Sequence, residues 1–159
     1  MKQATLCFLI KEQENQVKEI CLALKKRGFG KDRWNGFGGK VKEGESIEQA
    51  MERETEEEGK VDIKSFYKVA ELTFFFPHNP DWDQQVHTYF CKDWIGEPQE
   101  TEEMKPQWFL VSEIPFDLMW QDDIYWLPKV IDKKLIKGTF SFDKKDKIVD
   151  QEIKIVDYL

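Results

Sequence analysis

Three glutamates spaced three and four residues apart, Glu54, Glu57 and Glu58, are the residues in this chain that point most directly to chemistry. They lie in the run Gly38–Val61, GGKVKEGESIEQAMERETEEEGKV, which reads as a glycine-rich turn feeding one short helix. Ser46 is a good N-cap, and Gln49 three residues later completes a capping box. Gly59 is the expected left-handed stop. At about 100° per residue, Ile47, Ala50 and Met51 share one azimuth. Glu54 and Glu58 continue it with Glu57 beside them, while Glu48, Glu52 and Glu56 point elsewhere. The face that should meet the core therefore starts oily and ends in acids. Like charges at these spacings oppose a helix by roughly 0.2–0.5 kcal/mol per pair, and partial burial raises the cost further. Arg53 can answer one acid. An all-oxygen set suits a hard divalent cation, Mg2+ or Mn2+, better than zinc, and Mg2+ is commonly shared between one or two carboxylates and a substrate's phosphates. The bland alternative is a solvated acidic helix, common in a chain with 35% charged residues.

Gly39, Glu45, Arg53-Glu54 and Glu57-Glu58 together resemble the signature of the Nudix family, G-x5-E-x7-R-E-U-x-E-E-x-G-U. In that family the signature forms a loop–helix–loop around a metal-bound diphosphate. Thr55 stands where the pattern has an aliphatic residue and Lys60 where it has its closing glycine. Gly59, one place earlier, is expected to take over the capping. The resemblance implies an α/β (α+β) fold, an α/β/α sandwich around a mixed sheet.

The rest of the chain must position this helix. Ala4–Ile10 reads as a buried strand and Ile20–Lys26 as a second, with Ile20, Leu22 and Leu24 on one face. Arg27–Arg33 reads as a flexible basic loop. Trp34–Gly39 contains neither a Walker spacing nor GxGxxG, so its glycines are expected to permit a tight turn with carbonyls facing a metal. Ser65–Phe76 and Gln85–Asp93 pair as a hairpin, and Gln107–Val111 adds a strand. A helix from about Asp123 to Lys134 is expected to be interrupted at Pro128, and Thr139–Leu159 alternates like a terminal hairpin. Strands with helices on either side fit the sandwich.

Composition narrows the function. The 159 residues are enough for one domain, 1–159, with a real core. A net charge of −7 argues against a nucleic-acid polymer as partner and means that a polyphosphate would need cations to approach. Cys7, Cys21 and Cys91 are odd in number and set in apolar strands, so neither disulfides nor zinc are expected. No targeting segment or long apolar run is read. The expectation is a cytoplasmic monomer without membrane contact.

Four further segments extend the resemblance over nearly the whole chain. Lys25–Gly30 (KKRGFG), Arg33–Val41 (RWNGFGGKV), Glu102–Met104 (EEM) and Trp120–Pro128 (WQDDIYWLP) are similar to the MutT-homologue branch of the family, which acts on oxidised purine nucleoside triphosphates. The resemblance assigns base recognition to Asn35, Asp122 and Asp123 and base stacking to Trp120. It places Thr5, Phe29, Phe74, Gly38 and Gly39 among substrate-binding positions and has Lys25 steer or bind phosphate, the alternative being a solvated surface lysine. Metal ligation falls to Glu54, Glu57, Glu58, Glu103 and the carbonyl near Gly38, with Arg53 orienting the glutamates and Glu58 or Glu103 as general base. The implied products are a nucleoside monophosphate and pyrophosphate.

Residue chemistry agrees with these roles. Asn35 carries a donor and an acceptor on one short side chain. Two adjacent carboxylates facing one cavity should share a proton near neutrality, so the pair could swap donor for acceptor and take both 8-oxoguanine and 2-hydroxyadenine. The alternative for Asp122-Asp123 is a helix cap plus first-turn acid. Trp120 and Trp126 alone would more often be core, and His78 and His87 read as structural. The rival functions are another Nudix hydrolase, acting on ADP-ribose, dinucleoside polyphosphates or O6-methyl-dGTP, and a catalytically silent nucleotide-binding domain.

Overall fold

The computed structural model describes residues 1–159. Strand β1 (Lys2–Gln13) returns as β2 (Gln16–Lys25) through Glu14 and Asn15, both in the left-handed region that a two-residue hairpin needs. Then follow β3 (Trp34–Asn35), β4 (Phe37–Lys40), helix α1 (Ile47–Gly59), β5 (Asp62–Phe75), β6 (Gln84–Ile95) and β7 (Met104–Leu110). Helix α2 (Asp123–Ile131) and the hairpin β8 (Leu135–Phe142) and β9 (Ile148–Val156) complete the chain. The strands form one sheet in the order β3-β2-β1-β6-β5-β8-β9, with β4 added on β1 and β7 on β2. β1 runs parallel to β6 and β5 to β8, while the other pairings are antiparallel, so the sheet is mixed as expected.

Because side chains alternate along a strand, β1 feeds two cores. Phe8 and Ile10 pack with Trp126, Leu127 and Val130 of α2. Cys7 and Leu9 pack with Met51 of α1 on the opposite face. β2 does the same, with Ile20 and Leu22 on the α2 side and Cys21 and Ala23 on the α1 side. The two helices therefore cover opposite faces, and near-continuous apolar runs follow from burial on both.

Three expectations are corrected. Helix α2 passes through Pro128 and ends at Ile131, well before Lys134. Pro128 and Ile124 both lie on the exposed side, so the carbonyl that loses its partner can be hydrated. The glycines of Gly36–Gly39 do not make a turn, since β4 is a strand and its glycines are not among the positive-φ residues. The third concerns the end of α1. The capping box is formed, with Ser46 Oγ accepting from Gln49 N at 3.1 Å and Gln49 Oε1 from Ser46 N at 2.9 Å. At the other end Gly59 stays helical and Lys60 takes the left-handed position (φ 61°, ψ 33°). A side chain at Gly59 is excluded for another reason: its Cβ would come within 3.0 Å of the Phe37 ring. Lys60→Gly is expected to stabilise the fold by about 0.5–1 kcal/mol, and Gly59→Ala to destabilise it by about 1–3 kcal/mol, in urea unfolding.

Candidate active site

Arg53 organises the acidic end of α1. Its guanidinium grips Glu45 with Nε–Oε2 at 2.6 Å and Nη2–Oε1 at 2.9 Å, a bidentate pair. Nη1 reaches Glu54 at 2.7 Å and Glu57 at 3.3 Å, and Nη2 donates to the Lys40 carbonyl at 3.2 Å. The orienting role expected for Arg53 has a geometric basis here. Glu45, a residue of the family signature for which the sequence suggested no partner, is its principal partner and also accepts from Lys42 N at 2.8 Å.

The three glutamates occupy different environments. Glu58 is buried and accepts the Gly38 N–H at 3.0 Å. Burial lifts its pKa to about 7; the Gly38 bond and the Lys25 charge pull downward, while Glu54 and Glu103 push up. Glu54 is half-buried, its carboxyl lying where a Cβ on Gly39 would be 2.4 Å away. Glu57 is exposed, and Glu103 sits on the loop before β7, ion-paired with Arg27 at 3.2 Å. As they stand, no three acidic side chains converge into a ligand set. Like charges separate, and Glu54 and Glu57 turn to Arg53 as the nearest cation. Even so, a buried carboxylate whose charge is opposed by burial and by two neighbouring acids fits a divalent cation, and all the donors are oxygen. Nudix hydrolases generally use such ions. Thr55, the departure from the family pattern, is buried beneath them and donates from Oγ1 to the Met51 carbonyl at 2.7 Å, which hides its polarity.

Across β4 from these acids, on the α2 side of the sheet, lies a cavity of about 320 Å³. Lys25, Asn35, Gly38 and Gly39 edge it, and Thr5, Phe29, Phe74, Trp120, Asp122 and Asp123 complete the set expected from sequence. Glu54, Glu57, Glu58, Glu103 and Arg53 are not among its walls. Asn35 Oδ1 accepts from Gly36 N at 2.9 Å, leaving the amide NH2 as its free donor group. Trp120 stacks on Phe29 with centroids 5.2 Å apart at 29°, and Phe74 on Phe140 at 5.8 Å.

The aspartates are not caps. Asp122 occupies the N-cap position of α2 without any side-chain cap bond. Instead its Oδ2 accepts the Trp126 indole N–H at 2.7 Å. Burial pushes Asp122 up to about 6, and burial plus the Asp122 charge raises Asp123 well above its ordinary 3.8. Asp123 Oδ2 and Thr5 Oγ1 are buried without a protein partner. Sequence reasoning treated Trp126 as core; it is core, but it also fixes Asp122, a role visible from sequence only as the i,i+4 spacing on α2. Arg33 was also missed as a single residue. His87, read as structural, is held between Gln3 Oε1 at 2.6 Å and Lys68 Nζ at 2.8 Å.

A loop–helix carrying these acids against a glycine strand, in a mixed sheet flanked by two helices, is a Nudix arrangement. Residues 1–130 match the NUDIX domain family, and the chain belongs to it. It is 43% identical over 142 residues to the oxidized purine nucleoside triphosphate hydrolase of Mus musculus, covering 89% of this chain and 90% of the mouse protein. With the enzyme of the same name from Danio rerio it shares 42% over 144 residues, covering 91% and 92% of the two chains. The crystal structure of the MutT protein from Bacillus halodurans shares the fold, with a TM-score of 0.82 at 21% identity over 97% of this chain and 98% of that one.

The aspartate pair has a consequence for stability. Folded Asp123 keeps its proton well above 3.8, where the unfolded chain releases it, so folding loses stability as pH rises past the ordinary carboxylate range. Asp123→Asn removes that loss. Its thermal midpoint should exceed wild type at about pH 8 and approach it at about pH 4.

Proposed function

We propose that this chain hydrolyses oxidised purine (deoxy)nucleoside triphosphates, with 8-oxo-dGTP and 2-hydroxy-dATP as substrates, to the monophosphate and pyrophosphate. Such an activity removes damaged precursors from the nucleotide pool. The observation that carries this reading is the buried Asp122–Asp123 pair in the wall of a cavity that also contains Asn35 and Trp120, where burial favours the protonated form of Asp123. A protonated carboxyl donates where its ionised neighbour accepts, so the pair can meet base edges that differ in their donors. The activity named for the mouse and zebrafish relatives supports the same substrates.

On the phosphate side, Glu54, Glu57, Glu58 and Glu103, with the carbonyl near Gly38, would hold Mg2+, or Mn2+ in its place. When bound, that ion offsets triphosphate charge and lowers the pKa of an attacking water. Arg53 orients Glu54 against β4 and pairs with the exposed Glu57. Lys25, on the cavity edge, adds positive charge toward the phosphates. Glu58 and Glu103 are the two acids able to accept the proton from water. The apolar cavity shields the base from competing water while the phosphates reach the wet, acidic end.

The unit we assign is a single Nudix domain, 1–159, acting as a monomer. Cytoplasmic placement rests on three buried, unpaired cysteines, and no helix is long and apolar enough to cross a membrane.

The test is magnesium-dependent pyrophosphate release over 8-oxo-dGTP, 2-hydroxy-dATP, O6-methyl-dGTP, dGTP, ADP-ribose and a dinucleoside polyphosphate. Oxidised purine triphosphates should lead. Normal folding with no turnover of any of them would identify a silent domain. Glu58→Gln should lower kcat by at least about a hundredfold while nucleotide still binds. Asp122→Asn and Asp123→Asn should reorder oxidised guanine against oxidised adenine substrates, and an unchanged order in both would remove the aspartates from base recognition.

A further inference from the structure

Arg33 lies at the junction of three segments. Its Cζ sits 4.1 Å from the centroid of the Trp120 ring. Its Nη2 donates to Asp146 Oδ2 at 2.8 Å, and both side chains are partly buried, at 30% and 29% exposure. Its backbone is pinned as well, with N bonded to the Gly30 carbonyl at 3.1 Å and O accepting from Lys25 N at 3.0 Å.

Asp146 belongs to the tip of the β8–β9 hairpin, far along the chain. That tip is rigid by local chemistry. Asp143 Oδ1 accepts from Lys145 N at 2.8 Å and Lys147 N at 3.0 Å, and Asp146 N donates to the Asp143 carbonyl at 3.1 Å. A second contact ties the same hairpin to the neighbour of Trp120: Ile148 N donates to Gln121 Oε1 at 2.6 Å. The hairpin thus holds the segment carrying Trp120 and Asp122 at two points, one direct and one through Arg33.

We propose that Arg33, latched by Asp146, is a positioning residue that fixes the Trp120 indole for stacking on the base and so sets base affinity. The inference rests on the base-binding reading of the cavity. Two features separate Arg33 from a phosphate contact. Its charge is already answered by Asp146, and its planar face is already occupied by the indole. Only a guanidinium can stack through its face while donating from its edge; the compact ammonium of lysine keeps the charge and loses the plane.

The experiment compares wild type, Arg33→Lys and Asp146→Asn. Three quantities are read: KM and kcat for an oxidised purine triphosphate, inhibition by its nucleoside monophosphate, and inhibition by inorganic pyrophosphate. Both variants should raise KM and the monophosphate inhibition constant by about 3- to 30-fold, the range expected for losing a cation–π contact. The pyrophosphate constant should stay at its wild-type value, because pyrophosphate has no base. Unchanged monophosphate inhibition overturns the proposal, even if the thermal midpoint falls, since the pair would then be structural only. A parallel rise for pyrophosphate also overturns it and makes Arg33 a phosphate ligand. Should Arg33→Lys fail to fold, Asp146→Asn, which keeps the arginine, decides on the same criteria. A wild-type chain without activity on oxidised purines overturns the functional reading itself, an outcome distinct from an active wild type with indifferent variants.

Discussion

Close approach of backbone along β4 is the constraint on which both halves of the site depend. A Cβ on Gly38 would lie 1.9 Å from the Thr5 carbonyl oxygen, one on Gly36 2.7 Å from that of Cys7, and one on Gly39 2.4 Å from the Glu54 carboxyl carbon. These glycines are selected for volume and not for backbone freedom. Their missing side chains let β4 lie tight against β1 and let α1 come down on β4. Only at that separation can Glu58 reach the Gly38 amide. Gly59 extends the same logic to the end of the helix, where the Phe37 ring fills the space that a side chain would need. An acid is thus driven into a buried position and anchored there by a single neutral donor.

The alternation of β4 then divides labour across the sheet. Phe37 packs into the α1-side core and Gly39 meets Glu54, whereas Gly36 faces Phe8 of the α2-side core and lines the cavity. Asn35, at the head of this run on β3, lines the cavity, while Gly38 and Gly39 border both the cavity and the acids of α1. The β3–β4 run therefore borders both the cavity and the acids, and the pairing of β3 with β2 and of β4 with β1 sets the distance between them. Strand-borne positions of this kind hold geometry better than loop-borne ones.

What could be read from sequence was what local chemistry decides. The capping box, the azimuth of Glu54 and Glu58, and the strand pairs around the hairpins depend on residues close in sequence, and they appear in the fold as expected. The left-handed residue moved from Gly59 to Lys60 because a distant ring, Phe37, claims the glycine. Pro128 did not end α2 because the carbonyl it strands faces solvent. Glu57 keeps its place beside Glu58 on the helix wheel, yet Arg53 draws it outward, and azimuth alone carries no information about that ion pair. Asp122 needed Trp126, and Trp120 needed Arg33, which in turn is held by Asp146, 113 residues further along the chain from the arginine. Contacts of that separation leave no periodic trace.

The aspartates and Glu58 share a physical situation: each is a carboxylate pulled into the protein with fewer partners than its charge requires. Structural acids in this chain look different, since Glu45 and Glu12 are held low by Arg53 and Lys133. Shifts in opposite directions therefore separate acids paired with a cation from acids buried without one. In the cavity the unpaired atoms are Asp123 Oδ2 and Thr5 Oγ1, and an unmet buried polar group costs about 1–3 kcal/mol. A ligand that supplies those partners recovers that energy, and one that cannot leaves it uncompensated. On the function proposed above, selection among purines arises from polar groups that the fold itself leaves incomplete, which is a stronger filter than the shape of an apolar pocket.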